Sequence, residues 1–133
     1  MEQHIEIFIE GKPAPRPRFN RKSGAYNPPE YTKYLLELKE LLEQFQSEQI
    51  QQGDWNELEV KFYFSYPKTT PKKQRRVLEY HRHSFDCDNL VKPIMDAMQE
   101  LGWIKNDSQI SKLYVVKMRG EMTDSKIQIS LFE

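Results

Sequence analysis

The chain has 133 residues, 20 basic and 20 acidic, so its formal charge is zero, and its length suits one domain spanning 1–133 rather than two independent cores. Its 38% hydrophobic and 12% aromatic content argues against disorder despite 30% charged residues. The single cysteine, Cys87, excludes an intramolecular disulfide and points to a reducing, cytoplasmic compartment, and no apolar run approaches the roughly 20 residues of a membrane helix.

The chain opens with Ile5, Ile7 and Ile9 alternating with Glu6, Phe8 and Glu10, which predicts a strand with one buried face, ended by Gly11. This alternation is unlike the continuous apolar stretch of a secretory signal. Lys12-Pro13-Ala14-Pro15-Arg16-Pro17-Arg18 follows, and its prolines lack the donors for a ladder or a helix interior, so an extended basic segment is expected. From Tyr31 the apolar positions Tyr34, Leu35, Leu38, Leu41, Leu42 and Phe45 recur with helical spacing, predicting one long helix to about Gln52-Gly53. Leu58, Val60, Phe62, Phe64 and Tyr66 alternate, predicting a strand stopped by Pro67. Thr70-Pro71 reads as a helix start and predicts a short basic helix to about Tyr80. A second amphipathic helix is expected from about Asp88 to Leu101, with Leu90, Val91, Ile94, Met98 and Leu101 inward, Pro93 early and Gly102 at its C-terminal cap. Strands are expected over roughly Ser111–Arg119 and Lys126–Phe132. This order predicts a two-layer α+β sandwich with a mixed four-stranded sheet and two main helices.

Neutrality hides an uneven distribution. Lys12, Arg16, Arg18, Arg21 and Lys22 form an acid-free basic segment. Lys68, Lys72, Lys73, Arg75, Arg76 and Arg82 form a second, with Glu79 as the one acid among them. Leu35–Glu59 carries seven acids and only Lys39. Polyanion binding depends on the local field, so two basic segments are compatible with nucleic acid; each alone reads equally as a solvated loop.

The chemistry-bearing stretch is His83-Ser84-Phe85-Asp86-Cys87-Asp88-Asn89-Leu90-Val91-Lys92-Pro93-Ile94-Met95-Asp96. Asp86 and Asp88 are two apart, so in an extended segment both carboxylates face one way. Lys92 and Asp96 follow Asp88 at helical spacings of four and eight. Asp107 lies in the polar turn after the helix, which either returns toward the pair or lies at the far end. Clustered carboxylates repel unless a cation relieves them. Mg²⁺ takes few carboxylates and completes its shell with water and phosphate oxygens, and a nearby lysine neutralises charge developing on phosphate. The set therefore fits metal-assisted phosphodiester hydrolysis. A structural reading stands beside it: Asp-x-Asp as a helix cap, Asp88, Lys92 and Asp96 as i,i+4 ion contacts, and Asp107 as a turn starter. With one cysteine, and only His4 beyond His81 and His83, structural zinc is disfavoured.

At these residues the chain resembles the RusA family of Holliday-junction resolvases. The likeness rests on Asp86-Cys87-Asp88-Asn89-Leu90-Val91-Lys92, on Asp96-Ala97-Met98 and on Asn106-Asp107-Ser108-Gln109-Ile110. Val115-Val116-Lys117, Gly11-Lys12-Pro13-Ala14-Pro15, Arg16-Pro17-Arg18-Phe19 and Tyr26-Asn27-Pro28-Pro29 extend it. The resemblance implies a homodimeric, Mg²⁺-dependent endonuclease, with Mn²⁺ as substitute ion, that cuts paired strands of four-way DNA junctions in recombination and repair. It puts Asp86, Asp88 and Asp107 on the metal-binding acids, Lys92 on the catalytic lysine and Asp96 on a further acidic position. DNA contacts are expected from Lys12, Arg16, Arg18, Arg21, Lys22, Lys72, Lys73, Arg75 and Arg76. Cys87 stands where leucine is common, and Asn106 replaces an acid. The rival readings are a flap or fork nuclease of the same chemistry, a non-catalytic DNA-binding regulator, and a protein-interaction domain using the acidic helix.

Overall fold

The computed structural model describes residues 1–15, 18–22, 24–122 and 124–133. In chain order the strands are β1 (Glu2–Ile7), β2 (Arg18–Asn20), β3 (Gly24–Tyr26), β4 (Glu57–Ser65), β5 (Leu78–Tyr80), β6 (Lys112–Gly120) and β7 (Lys126–Phe132). The helices are α1 (Pro29–Glu43), α2 (Glu48–Gln52) and α3 (Cys87–Glu100), with 3₁₀ turns at Lys72–Gln74 and Asp107–Gln109. The α+β class is as expected, but the main sheet has five strands, not four, in the order β1-β7-β4-β6-β5. Only β4 and β6 run parallel; β1–β7, β7–β4 and β6–β5 are antiparallel. Among the described residues no helix is long and apolar enough to cross a membrane.

Strict alternation makes one face of this sheet the core. Leu58, Val60, Phe62 and Phe64 of β4, Ile127, Ile129 and Leu131 of β7, and Ile5 and Ile7 of β1 are all buried. Their helical counterparts are Tyr31, Tyr34, Leu35, Leu38 and Leu42 of α1 and Leu90, Val91, Ile94, Ala97 and Met98 of α3. The heptad-like stripes of both helices thus meet one sheet face, giving two layers. β1 ends at Ile7, and Ile9 packs only partly against the core.

Two helical expectations need correction, each for a local reason. The long helix breaks after Glu43 because the Ser47 hydroxyl captures the N–H of Ile50 (3.2 Å) and starts α2. Ile50 is buried, and its carbonyl accepts from Trp55 Nε1 at 2.8 Å, which locks the short helix down. The expected basic helix after Thr70 is only the Lys72–Gln74 turn, followed by β5. No apolar stripe supports a helix there, and Arg75 instead donates to the carbonyls of Thr70 (3.0 Å) and Lys68 (3.2 Å). Gly120 marks the arrival of β5, because a Cβ there would lie 2.2 Å from the Val77 carbonyl oxygen. Beyond the prolines, where no element was expected, β2 pairs with β3 as a two-stranded ribbon.

The end of α3 follows the sequence closely. Gly102 adopts φ +79°, Trp103 N–H donates to the Met98 carbonyl (2.9 Å) and Gly102 N–H to that of Gln99 (3.1 Å). This is the Schellman pattern that glycine permits without a Cβ penalty. Pro93 lies inside α3, within its first two turns as expected. It has no N–H for the Asn89 carbonyl, and that carbonyl accepts Ala14 N–H instead, at 2.8 Å. The proline-rich segment is therefore pinned to the first turns of α3 by a bond that a proline in the helix leaves available.

Candidate active site

Asp86 occupies the N-cap position of α3, and Asp88 lies in its first turn. The capping reading of Asp86 fails at the side chain: it makes no cap hydrogen bond, and only its backbone carbonyl receives Leu90 N–H (3.1 Å). Both residues are exposed, and neither carboxylate has a hydrogen-bond or ion-pair partner among the described residues. Two unengaged carboxylates thus sit at the positive end of a helix dipole, with their lone pairs left to a ligand.

The loop entering this site is constrained. Ser84 has φ +75°, a left-handed conformation that costs a non-glycine residue about 1 kcal/mol or more. The next carbonyl, that of Phe85, accepts a short hydrogen bond from Lys117 Nζ on β6. Phe85 packs against Phe64 with ring centroids 6.1 Å apart, and Phe64 meets the His81 ring edge-on at 5.3 Å. Lys117 therefore brings a cation to the carbonyl preceding Asp86. The sequence contained a signal for it: Lys117 and Arg119 stand opposite Phe62 and Phe64, in the core-facing phase of β6.

Lys92 and Asp96 are paired as helical spacing suggests. Lys92 Nζ lies 3.2 Å from Asp96 Oδ1, so the Asp88–Lys92 contact is not the one made. Asp96 Oδ2 accepts from the Tyr31 hydroxyl at 2.7 Å. Burial first, and then the Asp96 carboxylate, push the Tyr31 phenol well above its ordinary range, so it remains a donor. Tyr31 was expected only as a core residue; it also orients Asp96 and, through it, Lys92.

Asp107 does not join this group. It begins the 3₁₀ turn after α3, and α3 is 14 residues long, about 20 Å at 1.5 Å per residue. Its turn is tied to the opposite end of the sheet: Gln109 Nε2 donates to the Trp55 carbonyl (3.0 Å), and Ser111 N–H to that of Asn56 (2.8 Å). The turn thus lies at the far end, and among the described residues no three His, Cys, Asp or Glu side chains are grouped to hold a metal. Asp107 Oδ1 is buried with no hydrogen-bond partner, an oxygen still lacking its complement.

The basic residues differ in what they contact. Lys12 lies on the pinned segment, its backbone N–H on the Tyr34 hydroxyl (3.2 Å) and its Nζ 5.4 Å from the Tyr34 ring centre. Arg21 and Lys22 are exposed at the turn between β2 and β3. Arg16 and the Arg18 side chain lie outside the described residues. Lys72, Lys73 and Arg76 are exposed, whereas Arg75 is spent on loop carbonyls. A recess of about 360 Å³ beside β5 is lined by Glu79, Tyr80, Arg82, His83 and Arg119. Within it Glu79 accepts from Arg119 Nε (2.7 Å) and the Tyr66 hydroxyl (2.9 Å), which hold its carboxyl below the usual range.

His81, next to this recess, has a buried Nδ1 without a partner. Burial, then the charges of Arg119 and Lys117, lower its pKa from the ordinary 6.5. The folded state therefore resists a proton that the unfolded state accepts, and the penalty grows as pH falls below about 6.5 until it passes the folded value. The expected result is a melting temperature that drops between pH 7.5 and pH 5.5, and drops less in His81→Gln. An equal drop in both proteins would remove His81 from this account.

An exposed, unengaged carboxylate pair thus stands at the start of α3, with Lys92 four residues beyond Asp88. Comparison with known proteins gives the class: residues 9–130 match the family model described as Endodeoxyribonuclease RusA, and the chain belongs to that family. The crossover junction endodeoxyribonuclease RusA of Aquifex aeolicus (strain VF5) is 29% identical over 119 residues, covering 86% of this chain and 81% of that protein.

Proposed function

We propose that this chain is a divalent-metal-dependent endodeoxyribonuclease that resolves four-way DNA junctions as a homodimer. The observation that carries this reading is the unengaged Asp86–Asp88 pair at the start of α3, in a chain of an endodeoxyribonuclease family. Two carboxylates suit Mg²⁺, or Mn²⁺ in its place, because such an ion draws its other ligands from water and substrate phosphate. Asp86 and Asp88 would hold it, and it would supply Lewis-acid stabilisation of phosphoryl charge. Asp107 of the same copy is too distant to complete the set.

The chain's own residues do the rest. Lys92 offers an ammonium to the charge that builds on the phosphate, while Asp96 and Tyr31 fix where it starts. Lys117 holds the Phe85 carbonyl, and hence the direction in which Asp86 leaves the loop. Lys12, Arg16, Arg18, Arg21, Lys22, Lys72, Lys73 and Arg76 position the arms through phosphate contacts, without reading sequence. Arg75 acts indirectly, by shaping its loop. A two-fold dimer offers two sites to a nearly two-fold junction, which accounts for paired cuts.

The test is cleavage of a synthetic four-way junction, a flap and a linear duplex, each with Mg²⁺, with Mn²⁺ or with EDTA. Symmetric nicks in the junction that vanish with EDTA are expected. Preference for the flap would move the substrate, and tight junction binding without cutting under either metal would make the protein a regulator.

A further inference from the structure

Between the proline-rich segment and the start of α1 lies a pocket of about 230 Å³. Pro13 and Pro15 line it from one side, and Pro28, Tyr31 and Tyr34 from the other. Its charged residues, Lys12 and Glu30, are exposed, whereas Pro28, Tyr31 and Tyr34 are buried. Apolar rings therefore make its floor, and one cation and one carboxylate stand at its rim. The walls are fixed before anything enters. Each proline holds its own backbone angle. Ala14 N–H is tied to the Asn89 carbonyl (2.8 Å), Lys12 N–H to the Tyr34 hydroxyl (3.2 Å), and that hydroxyl donates to the Glu10 carbonyl (2.8 Å). Burial raises the Tyr34 phenol above its ordinary range, so this donor keeps its proton. Neither rim charge is neutralised: the Glu30 carboxylate has no hydrogen-bond or ion-pair partner among the described residues, and Lys12 Nζ lies over the Tyr34 ring with no carboxylate beside it. Tyr31 belongs to two places at once. It lines the pocket, and its hydroxyl holds Asp96 (2.7 Å), the carboxylate that holds Lys92 (3.2 Å). One side chain thus joins the pocket to the lysine that faces the reacting phosphate.

We propose that this pocket takes a single nucleobase, turned out of the strand beside the phosphate that is cut. The inference rests on the nuclease reading and adds a subsite to it. A base has two flat apolar faces and an edge that carries both donors and acceptors. Proline and tyrosine rings suit the faces. Once the base leaves its pair, its edge needs new partners, and a site that extracts a base supplies them. Glu30 accepts from a ring N–H or an amino group, and Lys12 donates to a carbonyl or a ring nitrogen. The two charges also select against other occupants. A phosphate group would be repelled by Glu30, and a purely apolar ligand would bury both rim charges without partners. The volume admits one ring system and excludes a duplex. With its base seated here, a nucleotide can no longer slide past Lys92, so the pocket contributes to catalysis by fixing the position of the scissile phosphate.

The test starts without cleavage. Single bases on either side of the crossover in a synthetic four-way junction are replaced by 5-iodouracil, the protein is bound in EDTA, and the complex is irradiated. One position should cross-link, and peptide mass spectrometry should place the bond on Tyr31 or Tyr34. A bond found only on the exposed Tyr80 or Tyr114, or on no tyrosine, overturns the proposal. Glu30→Trp and Pro15→Trp, both at exposed positions, fill the mouth of the pocket. Each should remove that cross-link and slow junction nicking with Mg²⁺ by about tenfold, with unchanged circular dichroism. A mismatch that unpairs the responsive base removes the cost of extracting it, so it should speed nicking by the wild type and not by the two variants. Equal acceleration in all three proteins overturns the role of the pocket. A wild type that nicks the junction but cross-links elsewhere loses the pocket and keeps the nuclease reading. One that cross-links at Tyr31 or Tyr34 and nicks under neither Mg²⁺ nor Mn²⁺ keeps the pocket and fails the nuclease reading.

Discussion

Asp86→Asn is expected to cut junction cleavage by about 10³-fold while leaving junction binding unchanged or tighter. The size follows from what the carboxylate would do. Holding a cation against the phosphate contributes several kcal/mol to the transition state. Each factor of ten in rate corresponds to about 1.4 kcal/mol. The amide keeps the shape and loses the anion. Structural cost should be slight, because Asp86 is exposed, makes no cap bond through its side chain, and asparagine is an equally good N-cap residue. Binding improves or stays level because one negative charge is removed from a surface that meets phosphates. The check is cleavage under single-turnover conditions beside a gel-shift titration at fixed salt. A folded variant that loses binding and cleavage together would place Asp86 in substrate positioning. One that cuts normally would return it to the role of a cap.

The same residues show what the sequence could and could not disclose. The Asp86–Asp88 pair, the helix that begins there and the glycine that ends it were legible because each depends on local spacing. So were the alternating strands, whose one buried face is a matter of period. The splitting of the first long helix was not, because apolar spacing continues past Phe45 while the break is set by one hydroxyl, Ser47, and by where Ile50 must sit beneath Trp55. β5 was not legible because its three residues carry no alternation of their own and are recruited by the edge of β6. The fate of Asp107 was open for a different reason. A turn after a helix can fold either way, and the direction here is decided by the Trp55 and Asn56 carbonyls, more than 50 residues earlier in the chain. Asp96 reversed its apparent partner: spacing offered Asp88 and Asp96 equally to Lys92, and the buried phenol of Tyr31 fixed Asp96 as the one that holds it.

Trp55→Ala is expected to destabilise the fold by about 3–5 kcal/mol, the range for removing a large buried aromatic. Trp55 is 0% exposed, and the ring fills the space directly against Gly53, where a Cβ would come within 2.2 Å of it. Two costs add. The cavity forfeits dispersion contacts that the surrounding core cannot fully recover by collapsing. The Ile50 carbonyl also loses the donor at 2.8 Å that ties α2 to the sheet, and a buried acceptor left alone costs about 1–3 kcal/mol by itself. Against a typical total of about 5–15 kcal/mol, such a loss takes much of the folding free energy. Trp55→Phe separates the two, keeping most of the volume while removing the indole N–H, and should cost clearly less. Urea unfolding of the three proteins measures this, and a loss below about 1.5 kcal/mol in Trp55→Ala would mean that the core closes around the gap. The Trp55 carbonyl also accepts from Gln109, in the turn that starts with Asp107, and this backbone group remains in both variants. Junction cleavage should therefore track the folded fraction in Trp55→Ala and Trp55→Phe alike, and a steeper fall in Trp55→Ala would mean that the turn moves with the ring.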